Sequence, residues 1–350
     1  MQTIEAEIKK ILTGIIHPSL RQNLAEINAF VRLEEEGEKL RLVLRNPSEN
    51  RKEQIELEAA VRKQLAALDL PAKFKIRFEV DPAMKAAEEE TGNRIRGVKN
   101  IIAVGSGKGG VGKSTVAANL AISLAQSGHK VGLIDADIYG PSMGRMFGLI
   151  GKQELRGDGA NTIQPFTAHG VKLISFSFML SQEQAVVWRG PMLGKAVEQF
   201  LFQVSWGELD YLIIDLPPGT GDVQLSLGQI IEVDGAVIVT TPQNVALQDA
   251  TRAITMFMEI KVPILGIIEN MASFECPNCK HVSHIFSHNG GDSMAARYGV
   301  PLLASLPIQQ QIMESGEEGQ PIVLAEPDGT VARAFQALQE RLAEQIAKYR

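Results

Sequence analysis

The sequence predicts an α/β protein in two parts: a parallel sheet with helices on both faces, preceded by a small α+β domain in the order α-β-β-α-β. Three observations carry this. From residue 98 onward, short unbroken apolar runs alternate with longer helical stretches, as strands buried on both faces and joined by crossover helices do. Before residue 82, apolar residues alternate with polar ones along short segments, as in a sheet with one buried face. Between them, residues 82–97 are polar and charged with few large apolar side chains, and read as a linker. The expected division is therefore 1–81, 82–97 and 98–350.

A chain of 350 residues, 45% hydrophobic and 22% charged, excludes disordered, collagenous and disulfide-scaffold classes. No stretch approaches the ~20 apolar residues that span a bilayer, and the start, MQTIEAEIKK, lacks the layout of a signal peptide. With only two cysteines, the expected compartment is the reducing cytoplasm. Residues 1–97 hold 17 basic and 17 acidic side chains, so the net charge of −6 falls on the remainder. Neither part is basic, which argues against nucleic-acid binding through a broad electrostatic footprint.

In the first part, Ile4, Ile8, Ile11, Leu12 and Ile15 recur at helical spacing, and Gly14 with His17-Pro18 closes the helix. Ile27, Ala29, Val31 and Leu33 alternate, as do Leu40, Leu42 and Leu44, with a hairpin turn expected around Gly37. Pro47-Ser48 starts a second helix whose apolar positions are Ile55, Leu57, Val61, Leu65 and Leu68. Phe74, Ile76, Phe78 and Val80 form the last strand. In the second part, strands are expected at 101–104, 131–134, 211–214, 236–240 and 264–268. Helices are expected at 113–127, 191–204, 222–231 and 245–259. A final helix carries Val331, Phe335, Leu338, Leu342 and Ile346 on one stripe. Its other face mixes Arg, Glu, Gln and Lys, which favours packing on the protein's own core over a membrane surface.

Residues 101–115 read IIAVGSGKGGVGKST, an apolar strand, a glycine-rich loop and the start of a helix. Gly107, four residues, Gly112, Lys113 and Ser114 satisfy the phosphate-loop pattern in its required context. Gly107, Gly109, Gly110 and Gly112 let the backbone around Val111 turn its N–H groups inward, where they and the helix N-terminus cradle an anion. Lys113 is expected to reach the β- and γ-phosphates of ATP, Ser114 to ligate Mg²⁺, and Thr115 to lie beside the phosphates in the first helical turn. An ordinary glycine-rich turn would not need the full pattern.

Lys108 is a second lysine in the same loop. Here the sequence resembles the deviant-Walker ATPases, whose signature is GKGGVGK[ST]. That resemblance implies that Lys108 crosses a homodimer interface to the partner's nucleotide. Asp135 and Asp137, in VGLIDADIYGPS, follow a strand end, where ligands bind in open α/β sheets. The resemblance gives Asp137 the attacking water, and leaves Asp135 to the outer shell of the metal or to a turn. Asp215, ending the apolar strand at the start of YLIIDLPPGTGD, holds the Walker-B position that binds Mg²⁺, and 217–222 would sense the γ-phosphate. Asn270 matches the family residue that hydrogen-bonds adenine, for which an amide offers both donor and acceptor.

Cys276-Pro277-Asn278-Cys279 is a CxxC, followed by His281, His284 and His288. A redox dithiol, a zinc site of both cysteines with two histidines, and half of an iron–sulfur site all fit a bare CxxC. The three histidines equally fit a solvent-facing segment with no ligand.

The wider sequence resembles the Mrp/ApbC family of iron–sulfur carrier ATPases through RIRGVKNIIAVGSGKGGVGKST, DADIYGPS, WRGPM at 188–192, DYLIIDLPPGTGD, ENM at 269–271 and CPNC. Residues 1–80 resemble the small assembly-related domain often fused in front. The resemblance implies a P-loop ATPase fold and slow ATP hydrolysis. It also implies a labile [4Fe–4S] cluster held by Cys276 and Cys279 across a homodimer, and delivery of that cluster to apo iron–sulfur proteins. Departures are Gly144 where the family often has proline, and HPSL where relatives show an acidic turn; the first part also has no cysteine. The alternatives are a positioning ATPase of the MinD/ParA kind, which would need a membrane helix or basic DNA face, and a zinc-stabilised P-loop ATPase.

Overall fold

A computed structural model describes residues 2–17, 20, 22–36, 39–46, 51–66, 68, 73–81, 94–149, 163–178 and 190–349. Expectations at Pro18, Gly37, Pro47-Ser48, 82–93 and Trp188-Arg189 lie outside these residues. The chain divides into two compact units, Met1–Arg94 with Arg156–Ile163, and Ile95–Leu155 with Gln164–Arg350.

The first unit runs α1 (Gln2–Leu12), β1 (Phe30–Glu36), β2 (Lys39–Asn46), α2 (Arg51–Leu65), β3 (Lys73–Val80). β2 is central, antiparallel to β1 and parallel to β3. Ile8 and Leu12 of α1, Leu42 and Leu44 of β2, and Leu57 and Val61 of α2 form one buried core.

Two details depart from the simple patterns. Ile55 is 59% exposed, because the buried stripe of α2 is Leu57, Val61 and Leu65, and a residue two before Leu57 lies far around the helix. In β1 a bulge between Phe30 and Arg32 shifts the register, so that Phe30 opposes Leu44 and Leu33 opposes Leu42. Val31 becomes the extra residue of the bulge and the alternation breaks there. His17 is buried behind α1. Its Nδ1 accepts the Leu20 N–H at 3.2 Å, which leaves Nε2–H to donate to Asn46 Oδ1 at 2.8 Å.

The second unit begins β4 (Val98–Ser106), α3 (Lys113–Gln126), β5 (Val131–Asp135), α4 (Met143–Met146), β6 (Phe166–Ala168), β7 (Val171–Ser175). It continues α5 (Gly190–Phe202), β8 (Leu209–Asp215), α6 (Asp222–Ile230), β9 (Gly235–Thr240), α7 (Asn244–Glu259), β10 (Ile264–Glu269). A short hairpin of β11 (Phe274–Glu275) and β12 (Val282–Ser283) follows, then α8 (Gly290–Tyr298), β13 (Leu302–Ser305), α9 (Gln310–Glu317), α10 (Ile322–Ala325) and α11 (Thr330–Tyr349).

The sheet order is β13-β10-β9-β4-β8-β5-β7-β6, parallel throughout except for the edge strand β6. Every residue of β5, β9 and β10 is buried, so both faces are covered, as the unbroken apolar runs require. After β4 the chain moves to one side of that strand, and after β8 it crosses to the other. This is the switch point beside which ligands bind in open α/β sheets. Among the described residues no helix is long and apolar enough to cross a membrane.

The stripe on α11 is buried as its spacing predicts, with Leu338 and Leu342 fully enclosed. Truncating Leu338 to alanine should destabilise the larger unit by about 2–5 kcal/mol. The shift in its urea unfolding transition measures this, and a loss under about 0.5 kcal/mol would mean that the helix is not packed as described.

Candidate functional site

The loop between β4 and α3 is shaped by close backbone contacts. A Cβ on Gly107 would sit 2.0 Å from the Asp249 carbonyl carbon and 2.4 Å from Ala250 N on α7, so only glycine lets the loop lie against that helix. Gly112 has φ +84° and faces the Asn270 amide, which a Cβ would meet at 2.1 Å. Asn270, just past β10, donates from Nδ2 to the Val111 carbonyl at 2.9 Å. The residue expected at adenine thus ties down the phosphate loop from behind. Gly109 and Gly110 are exposed at the tip and Val111 is buried.

Lys113 opens α3 and points inward, with Nζ 2.5 Å from Asp215 Oδ1 and 3.1 Å from Ser114 Oγ. Ser114 Oγ donates to Asp215 Oδ2 at 2.6 Å. Thr115, half-buried in the same turn, offers its carbonyl to Asn119 Nδ2 at 2.8 Å.

Strand register explains the grouping. Ser175, Asp135 and Asp215 end β7, β5 and β8 as direct neighbours across the sheet. Asp135 is fully buried and accepts from Ser175 Oγ at 2.8 Å and from the N–H groups of Ser142, Met143 and Asp137. Burial first, and the neighbouring Asp215 charge second, push its carboxyl up to about 7. Burial raises Asp215 as well, opposed by the Lys113 ammonium. Asp137 is half-buried and close enough for its charge to raise Asp215 further. Its Oδ1 accepts the Gly140 N–H at 3.2 Å.

Residues 217–222 form a latch beside these groups. Gly219 N–H donates to the Ser106 carbonyl at 2.8 Å. Gln224 Nε2 donates to the carbonyls of Pro217 at 2.7 Å and Gly219 at 3.1 Å. Lys108 Nζ lies 3.4 Å from Gln243 Oε1 at the start of α7.

The cysteines lie on the β11–β12 hairpin. Cys276 N–H donates to the His281 carbonyl, and Lys280 N–H returns to the Cys276 carbonyl, both at 2.9 Å. Lys280 is left-handed with φ +60°. The turn points backbone N–H groups of Cys279 and Asn278 at the Cys276 sulfur, and these, then the Cys279 thiol and the Lys280 charge, hold the Cys276 thiol below its ordinary range. Cys276 is half-buried and Cys279 exposed. Among the described residues no group of three or more His, Cys, Asp or Glu is placed to hold a metal ion. The hairpin presents two thiols, and among the described residues they belong to no metal-holding group of three or more such side chains.

A family model for the NUBPL iron-transfer P-loop NTPases matches residues 97–343. The chain belongs to that family. This NTPase is 43% identical to the iron-sulfur cluster carrier protein of Deinococcus radiodurans, over 97% of its own length and 94% of the relative's. It is 39% identical to the Escherichia coli K12 protein of that name, over 99% and 93%. Among solved structures, a nucleotide-binding protein from Archaeoglobus fulgidus in complex with ADP, with Co, aligns at TM-score 0.58 and 40% identity, covering 66% of this chain and 91% of that one. The cell division ATPase MinD of Pyrococcus furiosus aligns at TM-score 0.53 and 23% identity, over 70% and 98%, and shares the fold.

Sequence reasoning passed over Ser175, Gln224 and Gln243 of this NTPase. Ser175 was within reach: VKLIS at 171–175 is another apolar run with a polar end, like VGLID and YLIID. Gln224 and Gln243 act through loop carbonyls and a loop lysine, for which spacing carries no signal.

The raised Asp135 carboxyl has a stability consequence. Its unfolded counterpart titrates near 3.8 and the folded group near 7. Between those values only the folded state keeps the proton, so the nucleotide-free NTPase should lose stability as pH rises from about 4 to 7 and level off above, with a slope of at most about 1.4 kcal/mol per pH unit. Urea midpoints across that range should show a flatter profile for Asp135→Asn. An unchanged profile would show that the carboxyl is ionised throughout.

Proposed function

We propose that this chain is an ATP-binding, ATP-hydrolysing iron–sulfur cluster carrier of the cytoplasm that holds a labile [4Fe–4S] cluster across a homodimer and passes it to apo iron–sulfur proteins. The single observation that carries the reading is the hairpin at Cys276–Cys279. The N–H groups of Asn278 and Cys279 are spent on the Cys276 sulfur, which favours the thiolate, the form that binds iron. A [4Fe–4S] cluster takes four thiolates and the chain has two cysteines, so two copies related by a two-fold axis supply the set. The names of the curated relatives favour the same cargo.

The nucleotide half rests on the loop at 107–115. A glycine-rich turn at the start of α3 suits phosphates, and Lys113 would leave Asp215 for the β- and γ-oxygens. Ser114 and Asp215 pair a hydroxyl and a carboxylate, the hard oxygen donors that Mg²⁺ prefers. They would hold the ion, which when bound neutralises phosphate charge. Asp137 would orient the attacking water, and Asn270, already on the loop, would meet adenine through its remaining acceptor. Lys108 would exchange its long contact with Gln243 for the partner's nucleotide. Residues 1–81 form the assembly-related domain, joined through 82–97 to an ATPase domain at 98–350.

Anaerobic reconstitution followed by iron, sulfide and zinc counts tests this. About four iron and four sulfide per two chains are expected, falling to background in Cys276→Ser or Cys279→Ser with ATP binding retained. Lys113→Ala should do the reverse, losing nucleotide binding while the cluster still assembles. A full cluster absorption band in either serine variant would overturn the bridging arrangement. One zinc per chain and no iron would make the hairpin a zinc-stabilised element instead.

A further inference from the structure

His284 and His288 follow the cysteine hairpin and take no part in the proposed cluster and nucleotide sites. Both rings are exposed, yet they stack with centroids 4.1 Å apart and planes tilted by 39°. Each is anchored through Nδ1. His284 Nδ1 lies 2.9 Å from the Ala272 carbonyl oxygen, and because a carbonyl only accepts, that nitrogen carries the hydrogen. His288 Nδ1 donates in the same way to Asn289 Oδ1. A neutral imidazole has a single lone pair, here on Nε2 of each ring.

The anchors are themselves held. Ala272 N–H donates to the Leu306 carbonyl at 2.8 Å. The Asn289 carbonyl receives Ser293 N–H at 3.1 Å and Ser293 Oγ–H at 2.9 Å at the start of α8. An Nδ1–H fixed by an oxygen acceptor, with Nε2 unprotonated, is how proteins orient and strengthen imidazole ligands. Two imidazoles bound to one ion through bonds of about 2.0–2.1 Å at ordinary cis angles have centroids about 4.5–5 Å apart, so a small opening of this stacked pair, with centroids at 4.1 Å, brings both Nε2 atoms to one ion.

We propose that His284 and His288 together bind one divalent transition-metal ion through their Nε2 atoms, with water completing the shell, at a site separate from the Cys276 and Cys279 thiols. Paired imidazoles suit Co²⁺, Ni²⁺, Zn²⁺ and Fe²⁺ over Mg²⁺ or Ca²⁺. The inference does not rest on the carrier reading, since it uses neither cysteine.

The test is Co²⁺ titration of the full chain carrying Cys276→Ser and Cys279→Ser, followed by calorimetry and visible absorption, with nucleotide binding as the check on folding. About one Co²⁺ per chain is expected, unaffected by millimolar Mg²⁺. His284→Ala or His288→Ala should weaken binding at least about tenfold, and His281→Ala should leave it unchanged. Asn289→Gly keeps the left-handed backbone (φ +59°) and removes the acceptor, so it should weaken binding by roughly tenfold. Failure of the cysteine-free chain to bind Co²⁺, displacement by Mg²⁺, or full binding by the His284→Ala/His288→Ala double variant would overturn the proposal.

Discussion

The larger unit is organised around one buried ion pair. Lys113 and Asp215 are 6% and 0% exposed, and removing two such ions from water costs several kcal/mol each, which their attraction only roughly offsets. The pair therefore does little for net stability. It does dictate the surroundings: Ser114 must satisfy the second carboxylate oxygen, and Asp135, one strand over, must be held by four donors because it shares the same dry space. The sheet makes this possible by ending β5, β7 and β8 in register. The glycine loop then closes over the lysine, so close to α7 that position 107 admits no side chain.

Elements that bury both faces were legible in the sequence, because an unbroken apolar run has few other uses. The five expected strands of the larger unit and its final helix lie where the runs place them. One buried strand, β7, was missed although its run is almost wholly enclosed; the other strands missed in the larger unit are those whose burial is shared or partial. β6 and β13 each have exposed residues, and β11 and β12 are two residues each, too short for any period to register. In the first unit the pattern failed at Val31 because a bulge makes it an extra residue while Leu33 stays in the core, and at Ile55 because an apolar residue on an otherwise charged face looks like part of the stripe until neighbours are known.

The site divides in the same way. Lys113, Ser114 and Asp215 were legible as neighbours, which hydrogen bonds now join, because their positions follow from covalent spacing within a loop or from a strand end. Asn270 was legible as a position and less so as a contact: its amide proves to hold the Val111 carbonyl, a relation between residues 159 apart. Lys108 shows the limit of spacing most plainly. A lysine after the first loop glycine can point anywhere, and within one chain it rests on Gln243.

Asn270 also sets the distance between the two chemistries. From the residue that touches the phosphate loop to Cys276 the chain runs only through 271–275, and it is pinned along the way. Asn270 N–H is held by the Thr240 carbonyl, Ala272 N–H by the Leu306 carbonyl, and the Ser273 carbonyl receives Ile308 N–H. Met271, between the first two, is left-handed with φ +59°, a conformation that costs a side-chain-bearing residue roughly 1–2 kcal/mol. Such strain persists only where neighbouring bonds enforce it. A ligand can shift the hairpin only to the extent that it binds one arrangement of this segment better than another. The pinned bonds mean that such a shift has to break or re-form specific backbone contacts between 270 and 273.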